Sequence, residues 1–255
     1  MKLLLVQPAL SYAPGSDNHD VVMQTAGRFT GQLGTDDVVV LPEHFDLRPS
    51  REQYEDGVRD LARSLGCHVV GGSHHEDRPD GRVNSGVVAD PRGELVGSYE
   101  KVRPYAVERN LVRDGNAFGE FSVGGRNVLV LICADFWFSD LFARATKLPD
   151  VILVPAMSVT RKPTPDYSRA LWRHLSVARA YEFGAYVGIS DWAHVPTPER
   201  LFASGVGGLA DPTVIDPDRF FSPIENDARL YDLDFEALAA FRKDRQSRGF
   251  FWKNA

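Results

Sequence analysis

The segment VLVLICADFWFS, residues 128–139, closes an apolar run on a thiol, Cys133, and follows it with an acid among aromatics. A buried cysteine usually behaves as a small hydrophobe, whereas a reactive one needs a neighbouring base or cation to raise its thiolate fraction. Two other stretches offer such groups. In VVVLPEHF the Val-rich run ends at Leu41, and Pro42 cannot continue a central ladder, so Glu43 stands at a strand exit. In LVGSYEKVRPYAVERN a strand delivers Glu100 and Lys101 at its end. Ligands of open α/β sheets collect beyond the carboxyl ends of strands, and Glu43, Lys101 and Cys133 all fall at such ends. Together they make a chemical set. Glu43 can take the thiol proton, and Lys101 can stabilise both the thiolate and the oxyanion that forms when sulfur attacks a carbonyl. The Ala134 N–H, freed at the strand-to-turn transition, is a second oxyanion donor. Singly, each residue also has a plain reading: a solvated carboxylate, a surface lysine, a core cysteine.

The elements that must position these groups are short apolar strands alternating with amphipathic helices. LLLV (3–6), VVVL (38–41), HVVGG (68–72), VLVLI (128–132), VILV (151–154) and AYVGI (185–189) do not alternate with polar residues, as expected of strands buried on both faces. Residues 51–65 place Tyr54, Val58, Leu61, Ala62 and Leu65 on one helical face, with Ser50 spaced to cap and Gly66 to stop it. Helices are also predicted over 18–33 and 166–183, and Asp234 is placed to cap a last one. NSGVVADPRGELVGSYEK (84–101) reads as an antiparallel hairpin turning at Pro91-Arg92-Gly93. The fold class is therefore α/β with a mixed sheet, in a single domain over residues 1–255.

The bulk numbers narrow the function. The chain has 255 residues, 43% hydrophobic and 25% charged, enough for a substantial core. A net charge of -6 gives no support for nucleic-acid or membrane binding. Two cysteines make no disulfide framework, and the start MKLLLVQPAL lacks a secretory pattern, so a cytoplasmic protein is expected. His74, His75, Glu76 and Asp77 cluster before a Pro-Asp-Gly turn, but adjacent strand residues face opposite ways, so no metal site is expected from them. A metal-dependent hydrolase built on that cluster is the last of the alternatives. Cys67 reads as the inert entry to a buried strand, and Glu182 as the i,i+3 ion-pair partner of Arg179.

The order LPE, YEK, LICAD resembles the nitrilase (carbon–nitrogen hydrolase) superfamily, which carries a Glu–Lys–Cys triad in that order. VQP near the start, DVILVPA after the cysteine, WRHLSVARAYEFGAYV and YDLDFEALAAFRKD extend the resemblance over nearly the whole chain. It implies an α-β-β-α sandwich with mixed β-sheets, and a homodimer or higher homo-oligomer through the 166–183 helix. It also implies a thioester mechanism on a small-molecule amide, without cofactor or metal. Glu108 matches the second glutamate that many members carry after the lysine, there to hold Lys101 or position substrate; a surface ion pair is its plain alternative. Ala134, Tyr105 and Met157 are the expected substrate contacts. Tyr105 and Met157, with Phe45, Phe136, Trp137 and Trp192, suggest an aromatic-lined pocket, although more of these are expected in the core than facing a ligand. Ala134 stands where members place a bulkier or polar residue, and DFW is nearer the glutamine-hydrolysing pattern than the nitrilase one. An amide or acyl transferase using the same thioester, and a catalytically silent binding protein, remain open at this point.

Overall fold

Alternation along β1 (Lys2–Val6) sets the layering: Leu3 and Leu5 join one hydrophobic cluster, Leu4 and Val6 another. The computed structural model describes residues 1–13, 16–46, 50–195 and 202–251. After β1 come α1 (Asn18–Gly27), β2 (Val38–Val40), α2 (Arg51–Leu65), β3 (His68–Val70) and β4 (His74–Glu76). The hairpin β5 (Val83–Ala89) and β6 (Leu95–Glu100) is followed by β7 (Gly119–Val123), β8 (Arg126–Val130) and α3 (Ser139–Ala143). Then come β9 (Val151–Pro155), β10 (Val159–Thr160), α4 (Asp166–Phe183) and β11 (Tyr186–Ser190). The described chain ends through β12 (Phe202–Ala203), β13 (Gly208–Ala210), β14 (Phe221–Pro223), β15 (Ala228–Asp232) and α5 (Phe235–Ser247).

Two mixed sheets result. One runs β15-β1-β2-β3-β5-β4 with β6 on the far side of β5, and the other runs β14-β13-β11-β9-β8-β7. Each has a parallel heart, β1-β2-β3 in the first and β8-β9-β11 in the second. Leu3, Leu5, Val38 and Val40 of the first sheet share a core with Leu129, Ile152, Leu153 and Val187 of the second. The sheets approach closely because residue 188 is glycine: a Cβ there would stand 2.8 Å from Leu3 Cδ2. On the outer face of the first sheet, Val22 and Ala26 of α1 and Tyr54, Val58, Leu61 and Leu65 of α2 cover Leu4, Val6, Val39 and Leu41. Trp172, Ala180 and Phe183 of α4 cover the second sheet. The architecture is an α-β-β-α sandwich. Burial of each such Leu or Val contributes about 1.5–3 kcal/mol.

The local signals act as read. Ser50 Oγ accepts from Gln53 N–H at 3.1 Å, and Gly66 closes α2 in the left-handed region at φ 67. Asp234 accepts from Glu236 and Ala237 N–H and starts α5. The first helix is shorter than the expected 18–33: it ends at Gly27, and turns through Gly31 at φ 86 replace its second half. Arg179 and Glu182 pair at 2.6 Å, and Cys67 is fully buried, its thiol pushed up to about 12 by that burial and then by Asp37. His74 and His75 face opposite ways: His74 stacks on Tyr54 at 4.1 Å, while His75 faces Glu108. No helix among the described residues is long and apolar enough to cross a membrane.

Candidate active site

Three strand exits meet where the sheets face each other, and their backbones share a feature. His44 at φ 53, Ala106 at φ 52 and Cys133 at φ 47 are the non-glycine residues in the left-handed region among the described residues. Such a conformation costs an L-residue about 1–2 kcal/mol and recurs where function over-determines the chain. His44 follows Glu43 beyond β2, and Ala106 lies between Lys101, at the end of β6, and Glu108. Cys133 itself opens a 3-10 turn (Cys133–Trp137) three residues after the last residue of β8. Gly72 presses against the first exit. A Cβ on it would stand 2.0 Å from the Pro42 carbonyl oxygen, so the chain carrying Glu43 is seated on a position only glycine can fill.

The charges form a closed network. Lys101 Nζ donates to Glu43 Oε1 at 2.7 Å and to Glu108 Oε2 at 2.5 Å. Asn84 Nδ2 bridges the same two carboxylates, at 2.9 Å to Glu43 Oε1 and 2.7 Å to Glu108 Oε1. Met157 N–H donates to Glu43 Oε2 at 3.2 Å, and the Trp192 indole N–H holds the Glu43 carbonyl at 2.7 Å. Cys133 Sγ lies 3.8 Å from the Met157 carbonyl oxygen. Burial works against the Lys101 charge, but Glu43 and Glu108 outweigh it and hold the ammonium above the usual lysine range. Burial likewise opposes ionised Glu108, yet His44, His75 and Lys101 keep it well below the usual carboxylate range. Burial, then the negative charge of Glu43, pushes the Cys133 thiol well up, against the pull of Lys101. The resting nucleophile is therefore the thiol, and sulfur becomes nucleophilic only as its proton leaves.

Asp135 ties the cysteine turn to the lysine loop, its carboxylate accepting from Val102 N–H at 2.9 Å and Arg103 N–H at 2.8 Å. Burial pushes it up to about 6, although those N–H groups and Lys101 pull the other way. A folded-state value above the unfolded one of about 3.9 contributes stability that is full below that pH and is lost as pH rises through about 6. Asp135→Asn is expected to flatten the stability curve between about pH 4 and 6 in urea titrations. An unchanged slope there would show that Asp135 titrates alike in both states.

The carbon-nitrogen hydrolase family profile matches residues 9–208, which contain every group described above. The chain belongs to the carbon-nitrogen hydrolase family. A curated relative, the 2-oxoglutaramate amidase of Bacillus subtilis, is 28% identical over 190 residues, 69% of this chain and 70% of that one. Among solved structures, a CN-hydrolase superfamily protein from Xanthomonas campestris with an arsenic adduct in its active site superposes with TM-score 0.78 at 20% identity, covering 100% of this chain and 98% of that one. Saccharomyces cerevisiae Nit3, a nitrilase-superfamily member, gives 0.78 at 21%, covering 96% and 93%. The Nesterenkonia sp. amidase with acrylamide added to its active-site cysteine gives 0.74 at 22%, covering 98% and 99%.

Within this carbon–nitrogen hydrolase, the residues expected from sequence occupy one site to different degrees. Lys101 pairs with both Glu43 and Glu108, and Cys133 lies within their field. Ala134 is buried directly after the cysteine. Met157 meets the site through its backbone N–H and carbonyl. The Tyr105 side chain is 67% exposed, while its N–H donates to Glu108 Oε2 at 3.3 Å. Phe45, Phe136 and Trp192 are buried in the fold. Sequence reasoning missed Asn84, Asp135, Tyr12 and His44. Asn84 lay inside the quoted hairpin, and its polarity in an otherwise buried strand was the signal available. Tyr12 stacks on Trp192 at 4.7 Å and donates to Met157 Sδ at 2.9 Å, a pairing between distant segments that no local pattern announces.

Proposed function

We propose that this hydrolase is a thiol amidase that cleaves the non-peptide C–N bond of a small carboxamide through a Cys133 thioester. The observation that carries the reading is the Glu43–Lys101–Glu108 ion network closing on a buried cysteine in a left-handed turn. The likeness to a 2-oxoglutaramate amidase supports a compact amide as substrate. Glu43 takes the Sγ proton as sulfur bonds to the amide carbon, which spares the site a free thiolate in a buried, acidic setting. The oxyanion is stabilised by Lys101 Nζ and by the Ala134 N–H, which lies at the start of a helical turn where N–H groups lack intrahelical acceptors. Glu43 returns the proton to the leaving nitrogen, releasing ammonia or an amine. It then deprotonates water, which attacks the thioester; the acid departs and the thiol regains its proton. Glu108 and Asn84 keep Lys101 and Glu43 in register throughout. A homo-oligomer in a soluble compartment completes the reading, with the exposed Tyr167 and Leu171 of α4 as the contact surface.

Intact-mass analysis during incubation with a mixed amide library tests this. The expected result is an acyl adduct on Cys133 that decays with product release and is absent from Cys133→Ala. Decay to the free acid identifies the hydrolase, and capture of the acyl group by added amines a transferase. Turnover of an amide with no adduct, and with Cys133→Ala equally active, would overturn the proposal.

A further inference from the structure

His44, His75 and Glu108 come from three separate segments and converge beside the Lys101 network. His75 Nε2 lies 3.4 Å and His44 Nε2 3.6 Å from Glu108 Oε1. The three ligand atoms all lie within 4.8 Å of one another. A tetrahedral zinc site with bonds of about 2.0–2.1 Å has ligand–ligand edges of about 3.3–3.4 Å, so two of the three edges already stand near that length. The imidazoles meet edge to face, with centroids 4.5 Å apart. Side-chain exposures of 14%, 28% and 11% for His44, His75 and Glu108 leave the cluster reachable from solvent. Glu108 Oε1 gives one lone pair to Asn84 and has another for a cation, since a carboxylate offers about four acceptor sites. Two carboxylates, Glu43 and Glu108, face one ammonium, Lys101, so the cluster's charge also favours a cation.

We propose that His44, His75 and Glu108 form a binding site for a zinc-class divalent cation at the mouth of the active site, and that filling it switches the enzyme off. Two imidazole nitrogens and one carboxylate oxygen are a donor set suited to zinc. A dication there competes with Lys101 for Glu108, and its charge weakens the ammonium that must receive the oxyanion. The switching half rests on the amidase reading, and the binding half does not. The site differs from the 74–77 cluster weighed from sequence: it takes only His75 from that run and reaches across to two other loops.

Cobalt titration of the full chain, followed by visible absorption and calorimetry with zinc as competitor, tests both halves. One Co²⁺ per chain is expected to bind the wild type and Cys133→Ala alike, without a sulfur-to-cobalt charge-transfer band. Affinity should fall at least tenfold in His75→Gln and further in the His44→Gln/His75→Gln double variant, with far-UV circular dichroism confirming the fold. Zinc should lower wild-type amide turnover in step with occupancy and leave the residual turnover of the double variant unaffected at the same concentration. Unchanged affinity in the double variant would overturn the site. So would loss of binding in Cys133→Ala, or a sulfur band, which places the metal on the thiol. Binding through the histidines with undiminished turnover would overturn the switch alone. An absence of amide turnover in the metal-free wild type would count against the amidase reading and leave the binding result standing.

Discussion

Cys133→Ala is expected to lower amide turnover by a factor on the order of 10⁴–10⁶, the scale seen when a nucleophile that works as part of a unit is removed. No other described side chain can replace it: Cys67 is fully buried and sits before β3 on the far side of the first sheet. The fold should survive, because the residue is small and its neighbours are held by their own bonds, Asp135 to Val102 and Arg103 and Met157 to Glu43. The left-handed backbone at φ 47 adds a second, independent expectation. Glycine at this position is relieved of about 1–2 kcal/mol of steric strain, against about 0.5–1 kcal/mol of extra conformational entropy in the unfolded chain. Cys133→Gly should therefore match Cys133→Ala in stability or exceed it by up to about 1.5 kcal/mol in urea unfolding, with both inactive. Wild-type turnover in either variant would take sulfur out of the mechanism. A Cys133→Gly variant clearly less stable than Cys133→Ala would mean that the turn is not strained.

The parts of this design that were legible in the sequence are those written in local chemistry. The 51–65 helix was readable because its cap, spacing and terminal glycine act within a few residues, and the 166–183 helix from its spacing. The hairpin was readable because Pro91-Arg92-Gly93 is a turn wherever it stands. Glu43, Lys101 and Cys133 were readable because strand exits in an α/β fold converge, which makes three remote positions a set before any distance is known. The division of strands between two sheets was not readable, since β4, β7 and β10 and the β12–β15 return are short and take their identity from their partners. The bridging role of Asn84 was hidden for the same reason: it depends on Glu43 and Glu108, which lie 41 and 24 residues away. Left-handed backbone at His44, Ala106 and Cys133 is imposed by tertiary structure on residue types that do not ask for it. Sequence rules failed at these three positions because packing around the candidate site holds the chain there against its local preference.

Lys101→Met is expected to damage rate and stability together, and the pH dependence separates the two. Loss of one oxyanion donor costs about 10²–10³ in kcat. The ammonium also holds two carboxylates that Asn84 already draws together, with Glu43 and Lys101 each only 3% exposed. Removing one partner of a buried ion pair costs about 3–5 kcal/mol, because the remaining charges are left uncompensated. In the wild type the folded-state Glu108 pKa lies below its unfolded value, so its contribution is present above about pH 4.3 and is lost on acidification. In Lys101→Met the downward pull on Glu108 shrinks to what His44 and His75 supply against its burial. The share of that stabilisation supplied by Lys101 is missing at neutral pH, and its loss counts for less as pH falls and Glu108 protonates in both proteins. Urea unfolding at several pH values should show the two proteins far apart at pH 7 and converging in acid. Parallel curves would mean that Lys101 serves catalysis without supporting the fold, and undiminished kcat would remove it from the oxyanion site.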